Sequence, residues 1–418
     1  MQKQIAINCG NFLLSLSDAI DLANSEIAQH QLKTAFIAWE ISRVANLSPE
    51  MIKDIFVASL FHDVGAITVE EKILLHNFET DLLNKHCQRG ELLLKRMPSF
   101  ENIAKIVLYH HTRWDEIAEP LETYHIISSQ ILQLADYIER LIDHNKYILH
   151  QSDNIIDNVK VQSGKLVHSK IINYFLEVAK REDFWLDLIS TRLYSILFNN
   201  GPLKSKEIDI SEILTISKLF RDLIDFKSPF TATHTTGVSA SAKIISELFG
   251  LTESEVRNME IAGNFHDLGK LTIPNSILDK PAKLTKDEFA IIKCHTYYSY
   301  QVINSIQGLE TIAEWAAYHH ENLNGNGYPF HYSANELTIG SRIMMVADIY
   351  TAISEDRPYR KGMSKDEIFK ILSDATAKNN LDSRIVETLF DNFDEINEQI
   401  RAIQLASNEF YKTRFSII

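Results

Sequence analysis

Residues 265–289 read FHDLGKLTIPNSILDKPAKLTKDEF, and two features of that stretch decide how the whole chain is read. The first is a helix start. Thr285 is followed three residues later by Glu288, an arrangement in which hydroxyl and carboxylate each satisfy a backbone N–H that the first helical turn leaves orphaned. The same pair recurs as Thr252 with Glu255 and Ser364 with Glu367, and Ser48-Pro49 fits an N-cap followed by proline at the first helical position. No useful run alternates apolar and polar residues, and Gly (14) and Pro (9) are scarce for 418 residues, so few turns are available. The expected fold class is all-α.

The second feature is the pair His266-Asp267. Outward from it the chain's 16 histidines fall into a register. His234 precedes His266 by 32 residues, and His30 precedes His62-Asp63 by the same 32. His295 lies 24 residues before His319-His320, and His86 lies 24 before His110-His111. A late aspartate follows each pair, Asp136 in LADYIERL and Asp348 in VADIYTAI, and the remaining intervals are slightly longer in the second copy. This is an internal duplication with small insertions. The expected organisation is two tandem helical domains, residues 1–150 and 206–418, joined by a helical connector, 151–205, which carries INYFLEVAKREDFWLDLISTRLYSILF. The polar stretch near 199–207 is the expected hinge, and the segment after about 380 reads as helix without a motif.

Composition narrows the function classes. Hydrophobic residues at 45% and charged residues at 23% suit a globular protein and exclude wholesale disorder. With 42 basic against 56 acidic residues the net charge is −14, which opposes long nucleic acid but not a small anion in a local pocket. No apolar run is long enough to span a membrane, and MQKQIAINCG lacks the pattern of a signal peptide. Cys9, Cys87 and Cys294 show no C-x-x-C spacing, so neither a disulfide framework nor a cysteine zinc site is expected, and a cytoplasmic location is.

The second copy offers His234, His266, Asp267, His295, His319, His320 and Asp348. Imidazoles with carboxylates suit borderline divalent metals, and seven ligands exceed the need of one ion. Two ions sharing Asp267 fit better; such a centre polarises a phosphate and supplies hydroxide near neutral pH. The expected cofactors are two divalent cations, Fe or Mn ahead of Zn, Ni or Mg.

With the loop HHENLNGNGYP (319–329) and ADIYTAISEDRPYR (347–360), the second copy resembles the HD-GYP phosphodiesterases, a branch of the HD metal-dependent phosphohydrolases; the first copy resembles a plain HD domain. The resemblance implies metal-dependent hydrolysis of a cyclic dinucleotide, cyclic di-GMP or 3′,3′-cyclic GMP-AMP, to linear products. It implies one metal on His234, His266, Asp267 and Asp348, and a second sharing Asp267 and using His295, His319 and His320. It makes Lys270 the holder of the scissile phosphate, with Asp267 the other catalytic residue, and adds Tyr328, Arg357 and Arg360 as substrate-binding residues. An arginine fork suits phosphate oxygens. The chain departs from the family pattern at Asn324 and Thr351, where aspartates are usual. It also has Phe230 where trinuclear members carry a glutamate, which favours two metals. A homodimer or a diguanylate-cyclase-type partner is compatible with the resemblance. Alternatives are a nucleotide phosphohydrolase of the general HD type and a non-catalytic dinucleotide-sensing module.

The first copy keeps a full candidate ligand set, His30, His62, Asp63, His86, His110, His111 and Asp136, but Ala66 stands in the lysine position and HHTRWDEIAEP replaces the GYP loop. Three readings stand for it: a metal-loaded regulatory domain, a scaffold with empty sites, or a second hydrolase for another substrate.

Overall fold

The computed structural model describes residues 6–21, 28–76, 83–228, 232–356, 361–416 and 418. Helices dominate it; the strands among the described residues are Ile7–Asn8 and Glu207–Ile208, an antiparallel pair of two residues each. The capping boxes at Thr252, Thr285 and Ser364 form, and Ser48 accepts from the Met51 N–H as an N-cap. A further box, Asp209 with Glu212, opens Ile210–Phe226. The chain divides into two compact units, one of Ile7–Ile208 and one from Asp209 onward.

In the first unit, His30–Val44 packs against Pro49–Leu60 and Tyr124–Arg140, while Leu83–Leu94 packs on Glu101–Tyr109. The second unit repeats this. His234–Phe249 packs against Glu253–Phe265 and Ile339–Ser354, and Lys286–Asn304 packs on Glu310–Ala317. The duplication seen in the histidine register is thus a duplication of helix packing.

The stretch expected as a connector belongs to the first unit. Ser169–Val178 lies against His30–Val44, and Phe184 stacks on Phe36 with ring centroids 5.7 Å apart. Phe175, Phe184 and Trp185 are fully buried, and burial of each such side chain contributes about 1.5–3 kcal/mol. The aromatic richness of this segment is core filling. The division between units falls just after the 199–207 stretch. No helix among the described residues is long and apolar enough to cross a membrane.

Candidate metal centre

In the second unit the ligand candidates arrive from five elements. His234 opens its helix, and His266-Asp267 follows the end of Glu253–Phe265. His295 lies mid-way along Lys286–Asn304, His319-His320 form a short turn after Glu310–Ala317, and Asp348 lies within Ile339–Ser354. The HD turn approaches the His295 helix so closely that a Cβ at Gly269 would lie 2.0 Å from the His295 carbonyl oxygen. Ser299 closes the contact, accepting from Gly269 N and donating to His266 O, both at 2.9 Å.

The structure brings all seven residues together. The ligand atoms of His234, His266 and Asp348 lie within 4.8 Å of one another, as do those of His295, His319 and His320. Asp267 stands between the sets: Oδ2 is 3.1 Å from His266 Nε2, and Oδ1 is 3.3 Å from His295 Nε2 and 3.8 Å from His319 Nε2. His234 Nε2 lies 3.1 Å from Asp348 Oδ1, and His320 Nδ1 lies 3.7 Å from Asp348 Oδ2.

Three observations fit this cluster to cations. His266, His295 and His319 each direct Nδ1 at the backbone carbonyl three residues earlier, at 2.8, 2.6 and 2.7 Å. That bond takes the ring proton, so Nε2 carries a lone pair pointing inward. The Nε2 atoms of His295 and His319 face each other at 3.3 Å, a repulsive pairing of lone pairs that a cation between them relieves. His266 Nε2 and Asp267 Oδ1 are buried with no hydrogen-bond partner, which costs stability unless something else satisfies them. Electrostatics agree. Burial pushes His295 down to about 3 and His320 to about 4, and holds His319 well below its ordinary value, keeping these rings neutral as ligation requires. Burial would raise Asp267, but His266 and Lys270 beside it hold it well below the usual carboxylate range. Burial would also lower His234, yet Glu355 and Asp348 draw it up to about 10.

Lys270 Nζ donates to Asp267 Oδ2 at 2.6 Å, at the edge of the cluster. The GYP loop closes the same side. Gly327 packs so tightly that a Cβ would lie 2.3 Å from Glu321 Cα, and the buried Glu321 accepts from the N–H groups of Phe330 and His331 at 2.7 and 3.2 Å. Tyr328 thereby rests on His320, ring centroids 4.9 Å apart. Asn324 accepts from Asn326 N within the loop, and Thr351 hydrogen-bonds Ser241 behind the site at 2.7 Å; neither reaches the cluster. Arg357, Arg360 and Phe230 lie outside the described residues.

The first unit assembles its own set. Ligand atoms of His30, His62 and Asp63 converge within 4.8 Å, and His86 Nε2 lies 3.2 Å from His110 Nε2 and 3.5 Å from Asp63 Oδ1. Asp136 Oδ1 lies 3.5 Å from His30 Nε2, and His111 Nε2 lies 4.0 Å from Asp136 Oδ2. Two details differ from the second unit. Cys87 Sγ lies 3.5 Å from His110 Nδ1, so a buried thiol adjoins these ligands where the second copy has Thr296. Arg140 donates to Asp136 Oδ2 at 2.5 Å, so this centre does have a cation, on the late aspartate and not on the HD aspartate that Lys270 meets.

Sequence reasoning missed the residues behind the first histidine of each set. Glu139 takes His30 Nδ1 at 2.5 Å, and Glu355 takes His234 Nδ1 at 3.2 Å. Gln404, from the C-terminal helix Phe393–Phe410, donates to Glu355 Oε2 at 3.3 Å and to Thr233 O at 3.2 Å. A carboxylate behind a ligating imidazole fixes its tautomer and raises its basicity.

Comparison with known proteins bears on the fold and the family. The description "HD domain" matches twice, at residues 27–141 and 218–385. A 3′3′-cGAMP-specific phosphodiesterase 1 of Vibrio cholerae is 27% identical over 396 residues, 92% of each chain, and the same organism's phosphodiesterase 3 is 23% identical over 87% of this chain and 90% of that one. A cyclic di-GMP phosphodiesterase response regulator, RpfG of Xanthomonas campestris, is 35% identical over 162 residues, 38% of this chain and 43% of its own. The crystal structure of a V. cholerae cyclic GMP-AMP-specific phosphodiesterase shares the fold with a TM-score of 0.65 at 21% identity, covering 93% of this chain and 98% of that one. The chain thus carries two HD domains in tandem and belongs to the HD metal-dependent phosphohydrolases.

Proposed function

We propose that the second unit is a phosphodiesterase that hydrolyses a cyclic dinucleotide, cyclic di-GMP or 3′,3′-cyclic GMP-AMP, to a linear product. The observation that carries this reading is the seven-residue cluster with its unsatisfied His266 Nε2 and Asp267 Oδ1, flanked by Lys270 at 2.6 Å. The names of the relatives supply the substrate class. His234, His266, Asp267 and Asp348 would hold one divalent cation; Asp267, His295, His319 and His320 would hold another, with Fe or Mn the preferred metals. When bound, the two ions supply Lewis acidity and lower the pKa of water.

The chain's own residues do the rest. Glu355 and the three backbone carbonyls fix the rings, so little reorganisation is needed when substrate arrives. Lys270 turns from Asp267 to the phosphoryl oxygens as charge develops there, and Arg357 and Arg360 are assigned to the nucleotide phosphates. Burial of the cluster strengthens each of these interactions. The test is product analysis on a panel of cyclic dinucleotides with Fe(II) or Mn(II) present. A linear dinucleotide is expected; tight binding of a cyclic dinucleotide without turnover would replace this reading with a sensing module.

A further inference from the structure

At the mouth of the second centre stand side chains that the metal cluster leaves unused. The helix Lys286–Asn304 carries His295 inward and places Phe289 and Lys293, one helical turn apart, on its outer face. Phe289 is 43% exposed. Lys293 Nζ lies 5.0 Å from the Phe289 ring centroid and 5.5 Å from that of Tyr328. Phe289 meets Tyr328 edge-on at 6.2 Å, and Tyr328 rests on His320 at 4.9 Å. An unbroken line of contacts therefore runs from a candidate metal ligand to an exposed ring. An ammonium over two aromatic faces is a positioned cation, not one swinging freely in water. The first unit has neither residue: counted back from His86 as from His295, the two positions are Asn84 and Thr80.

We propose that Phe289, Lys293 and Tyr328 form a subsite for the half of the cyclic dinucleotide that is not being cleaved. The argument rests on the phosphodiesterase reading. A cyclic dinucleotide carries two phosphodiesters, each with one negative charge, and only one can lie on the ligand cluster beside Lys270. Lys293 meets the other phosphate, and the open face of Phe289 stacks the adjoining nucleobase. Stacking of this kind accepts any base, because every base has a π-face. The subsite therefore selects a two-nucleotide ring over a simple diester, and does not by itself separate guanine from adenine.

The test compares cyclic di-GMP and 3′,3′-cyclic GMP-AMP with bis(p-nitrophenyl) phosphate, which has one phosphodiester and no second half. In Phe289→Ala and in Lys293→Gln, kcat/KM for the cyclic dinucleotide should fall about tenfold relative to kcat/KM for the simple diester, mainly through KM. Phe289→Trp and Lys293→Arg should restore the ratio. An unchanged ratio in a protein whose wild type cleaves cyclic dinucleotides overturns the subsite alone. Failure of the wild type to cleave any cyclic dinucleotide, while it cleaves the simple diester, overturns the substrate reading and the subsite with it.

Discussion

Replacing Gly269 by alanine tests whether the close approach of the HD turn to the His295 helix sets the centre's geometry. The new Cβ would lie 2.0 Å from His295 O, 2.7 Å from its carbonyl carbon and 2.8 Å from its Cα. All three are backbone atoms, so no side chain can swing aside. Ordinary contact distance requires the two segments to part by roughly 1.4 Å, an overpacking cost of about 1–3 kcal/mol. For a unit of this size that lowers Tm by several degrees. The same movement displaces His295 from Asp267 and strains both Ser299 hydrogen bonds. A misplacement of about 1 Å at a reacting centre costs about 100-fold in rate. Gly65→Ala is the matched control: its Cβ would lie 2.0 Å from His86 O, the same clash in the other unit. Cyclic-dinucleotide turnover, bound metal and thermal unfolding should be measured for both variants. Gly269→Ala should lose turnover about 100-fold and release metal from the second unit; Gly65→Ala should be similarly destabilised but retain turnover. Full activity in Gly269→Ala, or equal loss in both folded variants, would show that this close approach does not set the centre's geometry.

Three further outcomes are expected. Glu355→Gln should weaken metal retention about 10–100-fold in a chelator titration, because the carboxylate behind His234 is gone, and Gln404→Ala should act in the same direction more weakly. Lys270→Ala should lower kcat about 10–100-fold while leaving metal content unchanged; metal loss would show that its ion pair with Asp267 holds the centre together. Asp382 is held at about 2 by hydrogen bonds from Arg384 and Arg342, so its contribution to stability is present above pH ~4 and is lost as pH falls towards 2. Denaturant unfolding of Asp382→Asn should therefore show a shallower loss between those limits than the wild type.

The helical class and the ligand candidates were legible in the sequence because both leave local signatures. A capping box needs only two residues three apart, and the histidines repeat at intervals of 32 and 24 that one ancestral packing explains. Glu139 and Glu355 left no such trace. They follow Asp136 and Asp348 by 3 and 7 residues, so aligning the copies does not superpose them, and a glutamate on a helix is ordinary surface chemistry. Gln404 is invisible for a different reason: its partner is 49 residues away, just past the end of Ile339–Ser354. The aromatic 172–198 stretch signalled packing, but apolar periodicity does not say against what, and the partner is the first unit's own His30–Val44 helix. Arg140 carries no motif in the sequence; only the fold places it on Asp136.

Hydrolysis is assigned to the second unit although both units gather a full ligand set. Two double variants, His62→Ala with Asp63→Ala and His266→Ala with Asp267→Ala, should be assayed side by side for linear product and bound metal. The first pair should keep cyclic-dinucleotide hydrolysis and the second pair should abolish it. A first-unit variant that is folded, still metal-loaded in its second unit and yet inactive would contradict this assignment.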